Sequence, residues 1–272
     1  MTAADPYVSV LIPALDEGRT IDRVIDAVLA VNLPLELVLV DDGSTDDTWQ
    51  RMQARADGVR IRAYRHAVNQ GKGAAIRTAL RQARGHVVII QDADLGYSPS
   101  DYPRLVAPIQ SGRASVVFGS RAFASHTAYS FWYVIGNRVV TLATNLLYNV
   151  YLSDMETGYK VMPREVALAL DLEARGFELE PEITAKLLRM GHRIYEVPIE
   201  YTARSREEGK KLKPSDGVKA LAALLRYRLW QPRRAAPDDY PPEAAANDAA
   251  ASPTPVNTSV SGSRAGVLDT TS

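Results

Sequence analysis

His86-Val87-Val88-Ile89-Ile90-Gln91-Asp92-Ala93-Asp94 is the stretch that decides how this chain reads. An unbroken β-branched run is the pattern of a strand buried on both faces, as in parallel sheets covered by helices. The run ends in two carboxylates two residues apart. It therefore delivers hard oxygen ligands to the carboxyl edge of a sheet, where open α/β sheets bind their ligands. Asp92 and Asp94 are accordingly candidate ligands for a divalent cation that holds a diphosphate. An Asp-x-Asp tripeptide also suits a turn or a helix cap, so the neighbouring sequence has to decide.

On both sides of this stretch, short β-branched runs alternate with helical periodicity, the signature of βα units feeding a mainly parallel sheet. Strands are expected at Val8 to Ile12, Glu36 to Val40, Val59 to Tyr64, His86 to Ile90 and Ala114 to Phe118. Ile21, Val24, Ile25, Val28 and Leu29 form the stripe of a first helix, with Thr20 placed to cap it. A second helix follows Asp46, and a third runs from about Gly73 to Arg84. The second half predicts helices near 133–151, 163–170 and 181–190, a strand at Ile194 to Ile199, and a last helix from about Asp216 to Trp230. The fold class is α/β: a Rossmann-like, mainly parallel sheet flanked by helices, in a single domain spanning 1–230. From Gln231 to Ser272 the chain turns to Pro, Ala, Ser, Thr and Asp with almost no large apolar side chains, and is expected to be a disordered tail.

Lys plus Arg and Asp plus Glu number 32 each, so the chain has no bulk attraction for nucleic acid or anionic lipid, and any anion site is local. No nucleic-acid partner is expected. With no cysteine, thiolate ligands and nucleophiles are excluded. Met1 to Tyr7 lacks both a basic segment and an apolar run, so it does not read as a signal peptide; a cytoplasmic location is expected. The apolar stretch Phe131 to Leu152 is interrupted by Asn137, Arg138, Thr141, Thr144, Asn145 and Asn149, which does not suit a membrane span. Aromatic residues gather at its two ends, a composition compatible either with helices packed on the core or with a helix lying at a bilayer surface.

Other polar clusters fall at the same sheet edge. The second strand ends in Asp41-Asp42-Gly43-Ser44-Thr45-Asp46-Asp47, four carboxylates where capping needs only one, and one or two of them suit a nucleotide's base or ribose. The first strand ends in Pro13-Ala14-Leu15-Asp16-Glu17-Gly18, adding further acceptors. Asn69-Gln70-Gly71-Lys72-Gly73 opens the third helix like a phosphate loop but lacks the Walker spacing, which argues against a P-loop NTPase. Glu182, behind Pro181 in a first helical turn, suits the helix dipole. The four histidines show no ligand-like spacing.

Residues 8 to 230 resemble the inverting family 2 glycosyltransferases of the GT-A fold, and within them the polyprenyl-phosphate sugar transferases such as dolichol-phosphate mannosyltransferase and dolichyl-phosphate glucosyltransferase. Seven segments stand in family order: Ile12-Pro13-Ala14 with Asp16-Glu17; Val40-Asp41-Asp42-Gly43-Ser44; Asn69 to Gly73; Asp92 to Leu95; Gly119-Ser120-Arg121; Asp154-Met155-Glu156-Thr157-Gly158-Tyr159-Lys160; and Glu196-Val197-Pro198-Ile199 followed by Arg204 and Glu208-Gly209-Lys210-Lys211.

The resemblance implies a nucleotide-diphosphate sugar donor, GDP-mannose or UDP-glucose, with its base and ribose at Pro13, Ala14, Glu17, Asp42 and Lys72. It implies Mg²⁺ or Mn²⁺ at Asp92 and Asp94, and polyprenyl phosphate as acceptor. A sugar hydroxyl needs a general base, whereas a phosphate with a second pKa of about 6 is already largely anionic and needs cations instead. Arg121, Arg138 and Arg204 are placed to supply them, thickened by Arg206, Lys210 and Lys211. Asp154 is then expected to orient an arginine or the sugar; for a hydroxyl acceptor it is the candidate base. The chain departs from the family at Gly96, where relatives carry Gln or Glu, so a side-chain ligand is missing there. The reading is a peripheral enzyme at the inner membrane face, docked through 129–152, the last helix or a membrane-protein partner. Two alternatives are a soluble transferase acting on a small hydroxyl acceptor and a non-catalytic nucleotide-sugar-binding domain.

Overall fold

A computed structural model describes residues 6–122, 126–127, 131–176, 178–202 and 214–232. Seven strands form one sheet in the order β3 (Ile61–Arg65), β2 (Leu35–Asp41), β1 (Val8–Ala14), β4 (Val87–Ile90), β7 (Lys160–Pro163), β5 (Val116–Ser120), β8 (Ile194–Pro198). All pairings are parallel except those of β7, which runs against both β4 and β5. The mainly parallel sheet read from the sequence is therefore present. A two-stranded piece, β6 (His126–Thr127) with β9 (Tyr201–Thr202), lies apart from it.

β1 is buried apart from a partly exposed Pro13, and its residues divide by alternation: Val8, Val10 and Ile12 join one core cluster, Leu11 the other. The first cluster takes the stripe of α1 (Ile21–Leu29) and Met52 of α2 (Thr48–Arg55). The second takes α3 (Lys72–Gln82) and Leu179, Ile183 and Leu187 of α7 (Leu179–Arg189). Both faces being covered is why β1, β2 and β4 are largely apolar, the buried Ser9 of β1 donating to Glu36 of β2 at 2.7 Å. The chain builds outward from β1 through β2 to β3, then returns to lay β4 on β1's other side. The order thus reverses between β1 and β4, and the crevice beyond their carboxyl ends is a topological switch point.

Several details depart from the sequence reading. Thr20 does not cap α1; its hydroxyl instead donates to the Ala93 carbonyl at 2.7 Å, tying the helix entrance to the Asp92–Asp94 loop. β3 begins at Ile61 because Asp57 Oδ1 accepts the N–H groups of Val59, Arg60 and Ile61 and holds Val59 out as a turn. β5 begins at Val116, and α3 begins at Lys72 with Gly71 outside it at φ 95°. α4 (Tyr102–Gln110) and β7 were not anticipated.

α5 (Phe131–Tyr148) and α8 (Pro214–Arg228) pack together through Val140, Ala220, Ala223, Leu224 and Tyr227 in a third cluster. Their outer faces keep rows of exposed aliphatics: Val139, Leu142 and Leu146 on α5; Val218 and Leu225 on α8, with Leu229 just beyond it. Among the described residues no helix is long and apolar enough to cross a membrane. Arg204, Arg206, Lys210, Lys211 and 233–272, the bulk of the expected tail, lie outside the described residues.

Candidate active site

Three loops converge at the switch point, and two are bound to each other by side chains. Asp16, in the left-handed region at φ 52°, receives the Thr45 N–H on its carboxylate at 2.8 Å, while its own N–H donates to Ser44 Oγ at 2.9 Å. Glu17 N–H donates to Thr48 Oγ at 2.8 Å. The β1 and β2 loops are thereby one unit, and Asp46, by accepting the Thr48 N–H at 2.9 Å, anchors the start of α2.

Asp41 and Asp42 are both buried, and both have protein partners. Asp41 Oδ2 lies 2.9 Å from Arg65 Nε, in an ion pair too bent to be a hydrogen bond. Asp42 accepts N–H groups from Gln70 at 3.0 Å and Gly71 at 2.7 Å, and its Oδ1 is 2.7 Å from His66 Nδ1. Asp42 therefore holds the 69–71 loop in place, a job its sequence position did not reveal. Two glycines, Gly71 in that loop and Gly73 in the first turn of α3, are obligatory for a different reason. A Cβ on Gly71 or Gly73 would stand 2.1 Å from the carbonyl oxygen of Arg175 or Ala174, so the start of α3 presses on the 174–175 backbone.

The Asp92 carboxylate is 2.8 Å from Lys72 Nζ, which also reaches Glu180 Oε1 at 3.1 Å; the other Glu180 oxygen is 2.7 Å from Lys160 Nζ. This chain of alternating charges runs from the rim into the protein, where Lys160 is fully buried and also donates to the Met155 and Thr157 carbonyls. Burial opposes the charge on Lys72, but Asp92 and Glu180 outweigh it and hold its pKa above the ordinary value. Burial would likewise raise Glu180; Lys160 and Lys72 prevail and keep it below the carboxylate range.

Asp94 Oδ1 accepts the Gly96 N–H at 3.0 Å across a turn in which Leu95 is left-handed at φ 58°. A Cβ at Gly96 would come within 3.0 Å of that same oxygen and 3.3 Å of the Tyr201 ring, which explains the missing side chain: Tyr201 fills the place. Among the described residues no group of three or more His, Cys, Asp or Glu side chains is arranged to enclose a metal ion. Two carboxylates at the crevice nevertheless fit Mg²⁺ or Mn²⁺ held jointly with a diphosphate, since such ions take one or two carboxylates and complete their shell with phosphate and water.

On the other side of the crevice, Arg121 and Asp154 form a two-point ion pair, Nε to Oδ2 at 2.6 Å and Nη2 to Oδ1 at 2.7 Å, with the Arg121 N–H adding 3.1 Å to Oδ2. Asn137 donates to Asp154 Oδ1 at 3.0 Å. Burial would raise the Asp154 pKa, yet Arg121 and Asn137 overcome it and keep the carboxyl below its usual range. The Arg121 guanidinium lies over the Tyr201 ring, 5.0 Å from its centroid, and Tyr201 packs in turn, tilted by 47°, against Tyr97. Ser120 Oγ is 2.6 Å from Ser153 Oγ, and Glu196 receives the N–H groups of Ser153 and Asp154, fixing the segment from behind.

The crevice thus brings together Pro13, Ala14, Asp16, Glu17, Asp41, Asp42, Lys72, Asp92 and Asp94 on one side, and Ser120, Arg121 and Asp154 on the other. Arg138 is not part of it: its side chain is exposed on α5, and Asn137 is the residue that reaches Asp154. Arg204 and Lys210 lie outside the described residues. Glu182 is structural, accepting the Glu173 and Ala174 N–H groups and pairing with Lys186 at 2.6 Å. Sequence reasoning missed Tyr97, Asn137, Glu180 and Tyr201 and quoted Glu156 only as part of a family segment; only the fold brings them together, because none repeats at a metal-ligand or catalytic spacing.

The Glycosyl transferase family 2 model matches residues 9–169. A dolichol-phosphate mannosyltransferase of Pyrococcus furiosus is 26% identical over 82% of this chain; the match spans 64% of that protein, short of two thirds of its length. A polyprenol monophosphomannose synthase of Mycolicibacterium smegmatis is 27% identical over 81% of this chain and 85% of its own. Among solved structures, glucosyl-3-phosphoglycerate synthase from Mycobacterium tuberculosis, in complex with Mn²⁺, UDP and glucosyl-3-phosphoglycerate, superposes with a TM-score of 0.60 at 26% identity, covering 83% of this chain and 80% of that one.

Proposed function

Since the chain belongs to glycosyl transferase family 2, we propose that it transfers one hexose, with inversion, from a nucleotide-diphosphate sugar to polyprenyl phosphate at the cytoplasmic membrane face. The tied β1 and β2 loops, with Lys72, receive the nucleotide, the proposed donor being GDP-mannose or UDP-glucose. Asp92 and Asp94 would hold Mg²⁺ or Mn²⁺, which when bound neutralises charge on the departing diphosphate as a Lewis acid. Arg121, helped by Ser120 and by Arg204 and Lys210, takes the acceptor phosphate. A phosphate oxygen attacks the anomeric carbon in line, the bond to the diphosphate oxygen breaks, and the electron pair leaves on the nucleotide.

The observation that carries the phosphate acceptor is the state of Asp154. A general base has to have a lone pair available and a pKa near the working pH. Asp154 is almost wholly buried, has both oxygens on Arg121 and Asn137, and is held below its normal pKa. It orients a guanidinium and is a poor acceptor of a hydroxyl proton, which suits a nucleophile that is already an anion. The exposed aliphatic rows of α5 and α8, interspersed with Arg138 and Arg228, supply the chemistry of a helix pair resting on an anionic bilayer. A membrane-protein partner is the other way such a chain reaches a lipid.

The test is transfer of radiolabel from GDP-mannose or UDP-glucose, with Mg²⁺, to polyprenyl phosphate. Organic-extractable label from one donor, lost in Asp92→Asn and Asp94→Asn, is the expected result. Label confined to a water-soluble product would refute the lipid acceptor. It would favour the second reading, a hydroxyl acceptor bearing its own phosphate, which the likeness to glucosyl-3-phosphoglycerate synthase supports.

A further inference from the structure

The segment from Asp154 to Gly158 bridges the two halves of the crevice. It starts at the Arg121 pair and ends at Gly158, whose backbone lies so near Asp92 that an added Cβ would be 2.9 Å from Asp92 Oδ2. The Gly158 N–H is fixed by the Tyr97 hydroxyl at 2.8 Å. Glu156 is the midpoint of this bridge. Its Oε1 is buried and has no hydrogen-bond partner.

The surrounding charged groups are all engaged. Asp154 has Arg121 and Asn137; Glu180 has Lys160 and Lys72; Glu196 has Ser153. A buried acceptor without a donor carries a desolvation penalty that a ligand can relieve. Two more orphaned atoms, Asn137 Oδ1 and Thr157 Oγ1, belong to the same neighbourhood, on the residue that bonds Asp154 and on the residue next to Glu156. Together they mark a group of buried, unsatisfied polar atoms in and beside the segment that runs from the Arg121–Asp154 pair to Asp92.

We propose that Glu156 reads a hydroxyl of the transferred sugar, its buried Oε1 being completed by that hydroxyl between the Asp92 side and the Arg121–Asp154 pair. The inference rests on the nucleotide-sugar reading above and adds to it the group that selects the sugar. Desolvation, with the negative charge of Glu180 behind it, pushes the Glu156 carboxyl up to about 7, so near neutral pH it is able either to accept from a hydroxyl or to donate to one. A site built to hydrogen-bond a hydroxyl rejects an analogue in which that hydroxyl is absent or inverted, because its own polar group is then left unpaired.

The test compares binding of UDP and GDP with binding of UDP-glucose and GDP-mannose, by calorimetry in Mg²⁺, to the full chain and to Glu156→Gln and Glu156→Ala, with circular dichroism confirming that each variant is folded. The expected result is that nucleoside diphosphate binds the variants as it binds wild type, while the preferred nucleotide sugar binds Glu156→Ala ~10-fold or more weakly, in line with the loss of a hydrogen bond to a charged group. Glu156→Gln, which keeps volume and an acceptor, should retain part of the difference and lose its dependence on pH around neutrality. Equal weakening of nucleotide and nucleotide sugar, or no weakening of either in a folded variant, overturns the proposal. Wild type that binds nucleoside diphosphate but gains nothing from the sugar overturns it too. Wild type that binds neither nucleotide overturns the reading on which it rests, a separate and recognisable failure.

Discussion

Replacing Lys160 by methionine tests the row of alternating charges beneath the crevice. The lysine is fully buried, its ammonium is 2.7 Å from Glu180 Oε2 and 3.1 Å from the Met155 carbonyl, and it stands 4.6 Å from the Phe118 ring centroid. Methionine occupies nearly the same space, so what is lost is charge and hydrogen bonds, not volume. Removing one partner of a buried pair typically costs about 3–5 kcal/mol, because the other charge is stranded in a poorly solvating interior. Glu180 retains Lys72 at 3.1 Å, which places the expected loss at the lower end, about 3 kcal/mol. Adding Glu180→Gln removes the stranded carboxylate, so the double variant should be more stable than the sum of the singles by about 1–3 kcal/mol. Urea unfolding with an unchanged slope measures both quantities. The pH dependence has a definite sign. Burial alone would raise Glu180, but the two lysines outweigh it and hold the folded pKa below the ordinary 4.5, so its contribution is present above that value and lost as the pH falls through the folded one. In Lys160→Met the loss should begin at a higher pH. A single variant within about 1 kcal/mol of wild type, together with strict additivity in the double, would refute the argument that these charges depend on one another.

Gly73→Ala sets two effects against each other: helix propensity favours alanine by about 1 kcal/mol, while its Cβ would meet the Ala174 carbonyl oxygen at 2.1 Å, a backbone atom with little room to yield. The clash should win, giving a lower Tm; a higher Tm would show that the 174–175 backbone is free to withdraw. Glu156→Gln should alter stability in a pH-dependent way. Its folded pKa of about 7 is raised above the ordinary 4.5, so the wild type loses stability as pH rises through that interval, by about 3 kcal/mol once the group is ionised. The variant should be more stable than wild type by that order at pH 8 and nearly equal to it near pH 4, as read by denaturant unfolding; the same difference at both pH values would exclude the unpartnered carboxylate as its source.

What could be read from the sequence was whatever depends on local pattern. Val87 to Ile90 is apolar without interruption and Val8 to Ile12 is broken only by Ser9, so their burial on both faces and their place in a parallel sheet follow from the pattern alone. α4 escaped because Pro103 and Pro108 look like breakers. In the fold Pro103 occupies the first helical turn, where no N–H is needed, and the helix accommodates Pro108 near its end. β7 escaped because four residues following a glycine carry too little periodicity to be distinguished from a loop. At the site, the aspartates at strand ends announced themselves, since a buried run that closes on paired carboxylates has to bring them out at the edge of the sheet. Glu180 did not, because its meaning comes from Lys72 and Lys160, far away in sequence. Arg138 looked like the cation next to the acceptor, yet the helical turn carries its neighbour Asn137 inward and leaves the arginine outside.

β7 runs opposite to every other strand of the main sheet, and this divides the crevice into two mechanically different halves. The proposed donor side is rooted in the ends of β1, β2 and β4, strands buried on both faces. The proposed acceptor segment instead arrives at its strand from α5, and the Asn145 side chain clamps it near its start by holding both the N–H and the carbonyl of Leu152 at 2.9 Å. α5 and Asp154 are therefore links in series. Through Asn137 and Asn145, whatever the outer face of α5 comes to rest on is connected to the Asp154 segment and, by way of Gly158, to Asp92.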